Sequence, residues 1–526
     1  MSDNGPMPKG WILAPLGELT RINPRELDKE PGDGEHISFV PMTLVEAGTG
    51  RLDSSVSRLW REARKGYTRF QDNDVLFAKI TPCMENAKFA LAANLISGRG
   101  AGSTEFHVIR PTAAILPKFI LYFVLQERVR REARLSMRGA AGQLRVPPEF
   151  LDRAEIPVAP VPEQERIIEE IEKQFTRLDA AVAALKRVQA NLKRYRASVL
   201  KAASEGRLVP TEAELARREG RSFEPASVLL ERILSERRSG WESAQLAKIK
   251  EAKRELEEAK GKKKYREPVA PEPQNLPRLP EGWEWATVDQ VTLLVTKGTS
   301  PGWQGFDYVS SGVPFIRSQN VRWGQLDLSE IAFVEQRFNT SHSNSIIREG
   351  DVLLNLVGAS VGRSSIATRE IDGANTNQAV GIIRLVQKGI RNKFLMFHLL
   401  SPAGQAHIQK TKADVARANF NLDDIRPTPI PIPPFREQIR ITDETDRRLS
   451  VIHELEAQLE ATFLRTERLR QSILKSAFEG NLVPQDPTDE PASVLLERIR
   501  VDRNAAHNSA TTAPRGRRKK EAAHVS

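Results

Sequence analysis

The sequence predicts a mixed α/β protein: two copies of an α/β domain, separated by a long antiparallel two-helix coiled coil, with a pseudo-two-fold internal repeat. Three observations carry this. The nine residues PASVLLERI stand at 225–233 and again at 491–499. Apolar residues recur at threes, fours and sevens through two long stretches, one entered at Pro162 and the other after IPIPPF. Short runs rich in β-branched and aromatic residues, bounded by glycine and polar turns, precede each stretch.

The chain of 526 residues is longer than one hydrophobic core holds, so about two to four domains are expected. Its 79 Lys and Arg against 68 Asp and Glu leave a net charge of +11, which suits a polyanionic partner: DNA, RNA or an acidic protein. A single cysteine, Cys83, excludes an internal disulfide and argues against a zinc cluster, which needs about four close Cys or His ligands. The start MSDNGPMPKGW has no basic or apolar signal, and the greasiest run, FILYFVL at 119–125, is far short of the roughly 20 residues of a membrane span. A cytoplasmic protein without a membrane segment is expected.

The first α/β domain is placed at 1–155, with strands in ISFVPM, DVLFAKI and FHVIRP and a helix over 117–135. A helical region, 156–279, follows. Within it a long helix spans 162–205, a second helix 224–260, and a proline-rich linker 267–280. The second α/β domain is placed at 280–429, with strands in VPFIRSQNV, DVLLNLV and AVGIIRL and a helix over 392–412. A second helical region covers 430–507, and a basic disordered tail 508–526.

The repeat is visible residue by residue. IPVAPVPEQERI (156–167) lies over IPIPPFREQIRI (430–441), and the register runs without a gap to SVLKAASEGRLVP (198–210) over SILKSAFEGNLVP (472–484). Earlier blocks match more sparsely: Pro8, Gly10 and Trp11 with Pro280, Gly282 and Trp283, Asp74-Val75-Leu76 with Asp351-Val352-Leu353, and PKFILYFVL with NKFLMFHLL. The predicted seam comprises Ile167, Ile171, Phe175, Leu178, Val182, Leu185, Leu192 and Val199, facing Ile441, Leu449, Ile452, Leu455, Leu459, Leu469 and Ile473. Gly206 and Gly480 are read as C-caps, and about 40 residues make a rod of roughly 60 Å. Such a stripe needs a partner, and its own repeat supplies one.

Several fragments imitate catalytic signatures without meeting their requirements. IPPF (432–435) lacks the acidic or amide residue an adenine methyltransferase places before its Pro-Pro-aromatic, and reads as a strand-to-helix corner. GASVGRSS (358–365) is one residue short of a phosphate loop and has Arg363 in the lysine position, so it reads as a turn. SGRGAGST (97–104) reads as a flexible glycine loop. No metal or nucleophile constellation emerges from the spacing, and no catalytic, cofactor-binding or metal residue is assigned.

Polar, basic loops separate the strands. RLWREARKGYTRF, SMRGAAGQLRV, FIRSQNVRWG and KTKADVARANFN combine side chains that neutralise phosphates with side chains that bond base edges in pairs. The element order, PxGW opening each half, the GDVLL-like strands and the IP-x-P-P-x-x-EQ-x-x-I entry to each long helix resemble the specificity subunit of type I restriction-modification enzymes. The first copy departs from that entry only in Ala159, which stands where the pattern has a proline. The resemblance implies two target recognition domains, each reading one half of a split, asymmetric DNA sequence. It also implies helices that set the gap, two DNA adenine methyltransferase subunits and two motor-nuclease subunits as partners, and S-adenosylmethionine, ATP and magnesium used by those partners. On this reading the chain is a non-catalytic recognition subunit.

Candidate DNA contacts in the first domain are Arg58, Arg61, Arg64, Lys65, Tyr67, Lys79, Arg138, Gln143 and Arg145. In the second they are Arg317, Gln319, Asn320, Arg322, Asn355, Asn375, Asn377, Gln378, Lys410, Lys412, Arg417 and Asn419. The alternatives are a stand-alone bipartite DNA-binding or architectural protein, a self-contained methyltransferase, and a coiled-coil adaptor unrelated to DNA.

Overall fold

The computed structural model describes residues 7–140, 142–255, 265–272, 276–387, 389–414 and 419–501. The expected basic tail, the end of the expected second helix (256–260) and Arg417 lie outside the described residues. The chain divides into two compact units, one of residues 1–185 with 460–526 and one of residues 186–459. No helix among the described residues is long and apolar enough to cross a membrane.

Among its described residues the first unit holds ten strands: β1 (Ile12–Pro15), β2 (Thr20–Ile22), β3 (His36–Val40), β4 (Ser57–Leu59), β5 (Thr68–Gln71), β6 (Val75–Ala78), β7 (Phe89–Leu91), β8 (Arg99–Gly102), β9 (Phe106–Pro111) and β10 (Glu155–Val158). They form a β1-β10 pair and two four-stranded sheets, ordered β2-β9-β6-β7 and β4-β3-β8-β5. β6 is buried over its whole length, as an unbroken VLFA run requires. Phe77 and Phe89 stack across β6 and β7 with centroids 4.2 Å apart. β8 departs from the sequence reading, because RGAG is a strand and not a flexible loop. A Cβ on Gly100 would stand 2.2 Å from the Phe70 ring, and one on Gly102 2.1 Å from the Val40 carbonyl oxygen, so only glycine fits between these neighbours.

The second unit holds β11 (Glu284–Thr287), β12 (Thr292–Lys297), β13 (Tyr308–Val309), β14 (Val313–Ile316), β15 (Ala332–Val334), β16 (Val352–Asn355), β17 (Ser364–Ile366), β18 (Asn375–Thr376), β19 (Val380–Leu385) and β20 (Pro429–Ile432). The β11-β20 pair and the β12-β19-β16-β17 sheet use their strands in the same order as β1-β10 and β2-β9-β6-β7. The remaining sheet, β13-β15-β14-β18, shares a three-strand run with β4-β3-β8-β5: the parallel pair β14 with β18 matches β3 with β8, and the antiparallel pair β14 with β15 matches β3 with β4. A two-pronged ion pair on a buried aspartate recurs on the shared sheet. Arg110 donates to both oxygens of Asp74 at 2.8 Å in the first unit, and Arg384 to both oxygens of Asp351 at 2.8 and 2.7 Å in the second.

Two helices of 44 residues each, Val161–Ser204 and Phe435–Phe478, contribute segments to these units. The glutamine of each EQ motif ties the helix start to its domain. Gln164 accepts from Leu116 N at 2.9 Å and donates to Ala159 O at 2.9 Å, and Gln438 accepts from Arg391 N at 2.9 Å and donates to Pro433 O at 3.0 Å. Past each helix end comes a left-handed glycine, Gly206 at φ +68° and Gly480 at φ +71°. Pro280 crowds Gly206 and Pro8 crowds Gly480, so each PxGW motif packs on a helix end. The PASVLLERI repeat docks on the same motif: Ala226 N donates to Gly282 O at 2.8 Å in the second unit, and Ala492 N to Gly10 O at 3.0 Å in the first.

Within each unit the partners of the two helical regions run in opposite order. In the first, Asp179 meets Arg470 and Arg166 meets Asp489. In the second, Arg196 meets Glu456 and Glu212 meets Arg440. Of the expected seam, Ile167, Ile171, Leu192, Val199, Ile441, Ile452, Leu459 and Ile473 are buried, and Phe175, Leu178, Val182, Leu185 and Leu449 are half-buried. Leu455 and Leu469 face outward, 41% and 47% exposed. Their following residues turn inward instead: Glu456 to Arg196, and Arg470 to Asp179 and the Phe175 ring, 4.8 Å away.

The expected helices at 117–135 and 392–412 are each broken once. Extended backbone at Gln126 separates Pro117–Val124 from Glu127–Ser136, and Glu127 N is taken by Gln471 at 2.6 Å. Ser401 separates Asn392–Leu400 from Pro402–Asp414, where proline supplies no N–H and the Ser401 hydroxyl accepts from Gly404 N.

Candidate nucleic-acid interface

In the first unit one junction gathers residues far apart in sequence. Lys79, just past β6, donates its backbone N–H to Glu105 O at 2.9 Å and accepts at its own carbonyl from Val146 N at 2.9 Å. Arg138 and Arg145 pair their backbones at 3.0 and 2.9 Å, closing a hairpin that carries exposed Gln143. The Arg145 guanidinium grips both oxygens of Glu105 at 2.9 Å, holding that carboxyl below its usual range. Burial lowers the Lys79 ammonium, with Glu105 opposing. Beneath them His107 donates from Nε2 to Val146 O at 2.8 Å, leaving Nδ1 to accept from the Asn23 amide at 3.0 Å. Lys79, Arg138, Gln143 and Arg145 therefore share one platform, with Asn23 and Glu105 as supports.

The remaining candidates of this unit sit on the β4 edge. The Arg58 guanidinium lies 3.7 Å from the Phe39 ring centroid and donates to the Tyr67 hydroxyl at 3.1 Å. Arg61, Lys65 and Tyr67 are exposed, and Arg64 pairs with Asp33 at 2.8 Å on the surface.

The second unit builds the same junction from different residues. Leu356, just past β16, donates to Ala379 O at 2.8 Å and accepts from Phe420 N at 2.9 Å. Leu356, Ala379 and Phe420 thus stand where Lys79, Glu105 and Val146 stand, and exposed Asn419 takes the place of Arg145. Around it the Thr376 hydroxyl donates to Ile316 O at 2.7 Å, and the Ser300 hydroxyl to Gln378 Oε1 at 2.6 Å. Three loops converge there: 298–304, 317–320 and 377–379.

The structure separates the candidates of this unit by burial. Gln319, Arg322, Lys410 and Asn419 are exposed, and Arg317, Asn377, Gln378 and Lys412 are half-buried. Arg322 pairs with Asp327 at 3.0 Å. Asn320, Asn355 and Asn375 are buried and support the loops from inside. Asn320 accepts from Arg317 N at 2.9 Å, Asn355 donates to Ser318 O at 2.8 Å, and Asn375 donates to Asn339 at 2.9 Å.

Each junction presents hydrogen-bonding side chains on a hydrogen-bonded backbone frame, basic in the first unit and largely neutral amide in the second. A sequence model described as "Type I restriction modification DNA specificity domain" matches residues 280–462. The chain is 26% identical over 501 residues to the EcoAI specificity subunit of Escherichia coli, covering 85% of this chain and 79% of that one. It is also 26% identical over 512 residues to the E. coli EcoEI specificity subunit, covering 86% and 80%. Through these matches the chain is similar to the specificity subunits of type I restriction enzymes.

A solved chain from work titled "Structural basis underlying complex assembly and conformational transition of the type I R-M system" shares the fold at a TM-score of 0.59. It is 20% identical and covers 91% of this chain and 100% of its own length. In this chain the sequence reading missed Asn23 and Glu105, and also the exposed Trp303. Asn23 and Glu105 carry no local signal, since their role arises from partners about 40 to 85 positions away. Trp303 carries one: an aromatic residue between glycines in SPGWQGF.

Proposed function

We propose that this chain is the DNA sequence-specificity subunit of a type I restriction-modification complex, each of its two recognition domains reading one half of a bipartite, asymmetric target. The observation that carries this is the recurring junction, Lys79-Glu105-Val146 and Leu356-Ala379-Phe420, on which two different sets of side chains are displayed. One frame bearing two chemistries suits two unlike half-sites. Arginine and lysine in the first domain favour guanine edges and phosphates, and the amides of the second favour adenine edges.

The opposite order of helix partners within each unit supports an antiparallel two-helix coiled coil with a pseudo-two-fold repeat. Such a helical region fixes the gap between half-sites, because each added base pair both lengthens and rotates the target. It also recruits two adenine methyltransferase subunits and two motor-nuclease subunits, in the cytoplasm. S-adenosylmethionine, ATP and magnesium belong to those partners, and this chain selects the address. Mapping methylated adenines in the host genome with and without the gene tests the reading. A split motif whose methylation vanishes on deletion is expected, whereas an unchanged methylation map refutes it.

A further inference from the structure

We propose that Trp303 is an apolar wedge through which the second recognition domain stacks on the bases of its half-site, a residue without a counterpart in the matching loop 23–31 of the first domain. Trp303 is 75% exposed, although large aromatics are seldom left so open. It is not on a loose loop. Its N–H donates to Ser300 O at 3.2 Å in the short turn Pro301–Gln304, and Phe306 N donates to Pro301 O at 3.1 Å.

The turn is anchored at both ends. At its start, a Cβ on Gly298 would fall 1.6 Å from Thr376 O, so the backbones are in direct contact, and the Ser300 hydroxyl holds Gln378. At its end, Phe306 packs edge-on against Phe338 with centroids 5.3 Å apart. The scaffold therefore fixes the backbone that carries the indole outward, which lowers the cost of ordering on contact.

The neighbourhood selects the occupant. Trp303 follows Ser300, whose hydroxyl holds Gln378, in the loop that meets segments 317–320 and 377–379, where Arg317, Gln319 and Asn377 supply groups suited to base edges and phosphates. An indole beside such groups fits a base step, which offers a flat apolar face framed by polar edges. The corresponding loop of the first domain, NPRELDKEP after β2, is charged and buries its one large apolar residue, Leu27. Between these two loops, only that of the second domain can then unstack its half-site.

The inference rests on the DNA-reading function proposed above, and the test separates the two. The full chain, copurified with its methyltransferase, is bound to duplexes carrying the mapped motif with 2-aminopurine placed in either half-site. Wild-type protein is expected to raise fluorescence in the half read by residues 280–429 only. Trp303→Ala is expected to abolish that rise and weaken specific binding about tenfold, with Trp303→Phe partly restoring both. The melting temperature should not move, since the side chain is mostly in solvent.

Wild-type-like affinity and fluorescence in Trp303→Ala overturn the wedge while leaving the DNA-reading function intact. Failure of wild-type protein to prefer the motif over random duplex overturns the function itself. Loss of the copurifying methyltransferase in Trp303→Ala, with DNA contacts unchanged, makes Trp303 a protein contact and also overturns the wedge.

Discussion

Glu437 is fully buried where the second long helix begins. It accepts from the Trp283 indole at 3.0 Å and from Glu212 N at 2.8 Å, and burial pushes its carboxyl up to about 7. Nearby Glu212, clasped by Arg221 and Arg440 at 2.7 and 2.6 Å, is held below the usual carboxylate range, so the two carboxyls divide into one neutral and one charged. A carboxyl raised in the native state adds stability at low pH and loses it as pH climbs from its ordinary value of 4.5 through about 7. Glu437→Gln, whose NH2 would face one of the two N–H donors, Trp283 or Glu212, should therefore be less stable than wild type at pH 5 and recover relative to it by pH 8, by on the order of 2 kcal/mol. Thermal melts of both proteins across that range check this, and a gap that stays constant with pH would exclude Glu437 as the titrating group. The Asp74–Arg110 and Asp351–Arg384 ion pairs are vulnerable to substitution for a different reason. Breaking one partner there leaves an uncompensated charge inside a sheet.

At the scale of elements, the long helices were legible because an apolar residue every third or fourth position leaves little alternative, and DVLF and DVLLN were legible because such runs need burial on both faces. β8 was hidden because RGAG carries no apolar signal, and its glycines reflect Phe70 and Val40, placed by other strands. The interface was legible in part. Basic loops around Lys79 and Arg145 stand out in sequence, but their convergence depends on hydrogen bonds among three distant segments. Asn320, Asn355 and Asn375 look like reading residues by type, yet each amide is spent inside the fold, and burial of a polar side chain cannot be seen from its neighbours in sequence. The helices themselves invite a direct test. Inserting four residues, about one turn, next to Leu185 should change the gap in the methylated motif or abolish methylation, and an unaltered motif at wild-type levels would show that helix length does not set spacing.

For the whole molecule, modular reading means that exchanging residues 1–155 for those of a relative should change one half of the recognised sequence. Methylation mapping of the chimera reads this directly, and alteration of both halves would refute modularity. A successful graft must still receive the end of the second long helix, because Phe119 and Phe123 pack on Phe478 with centroids 4.7 and 5.7 Å apart.

That contact also dictates an order of events at the ribosome. The unit of residues 186–459 is one unbroken stretch, whereas the other joins residues 1–185 to 460–526. The part synthesised first must wait for the part synthesised last, with the apolar surfaces around Phe119 uncovered throughout elongation, while the middle of the polypeptide finishes folding ahead of its own beginning.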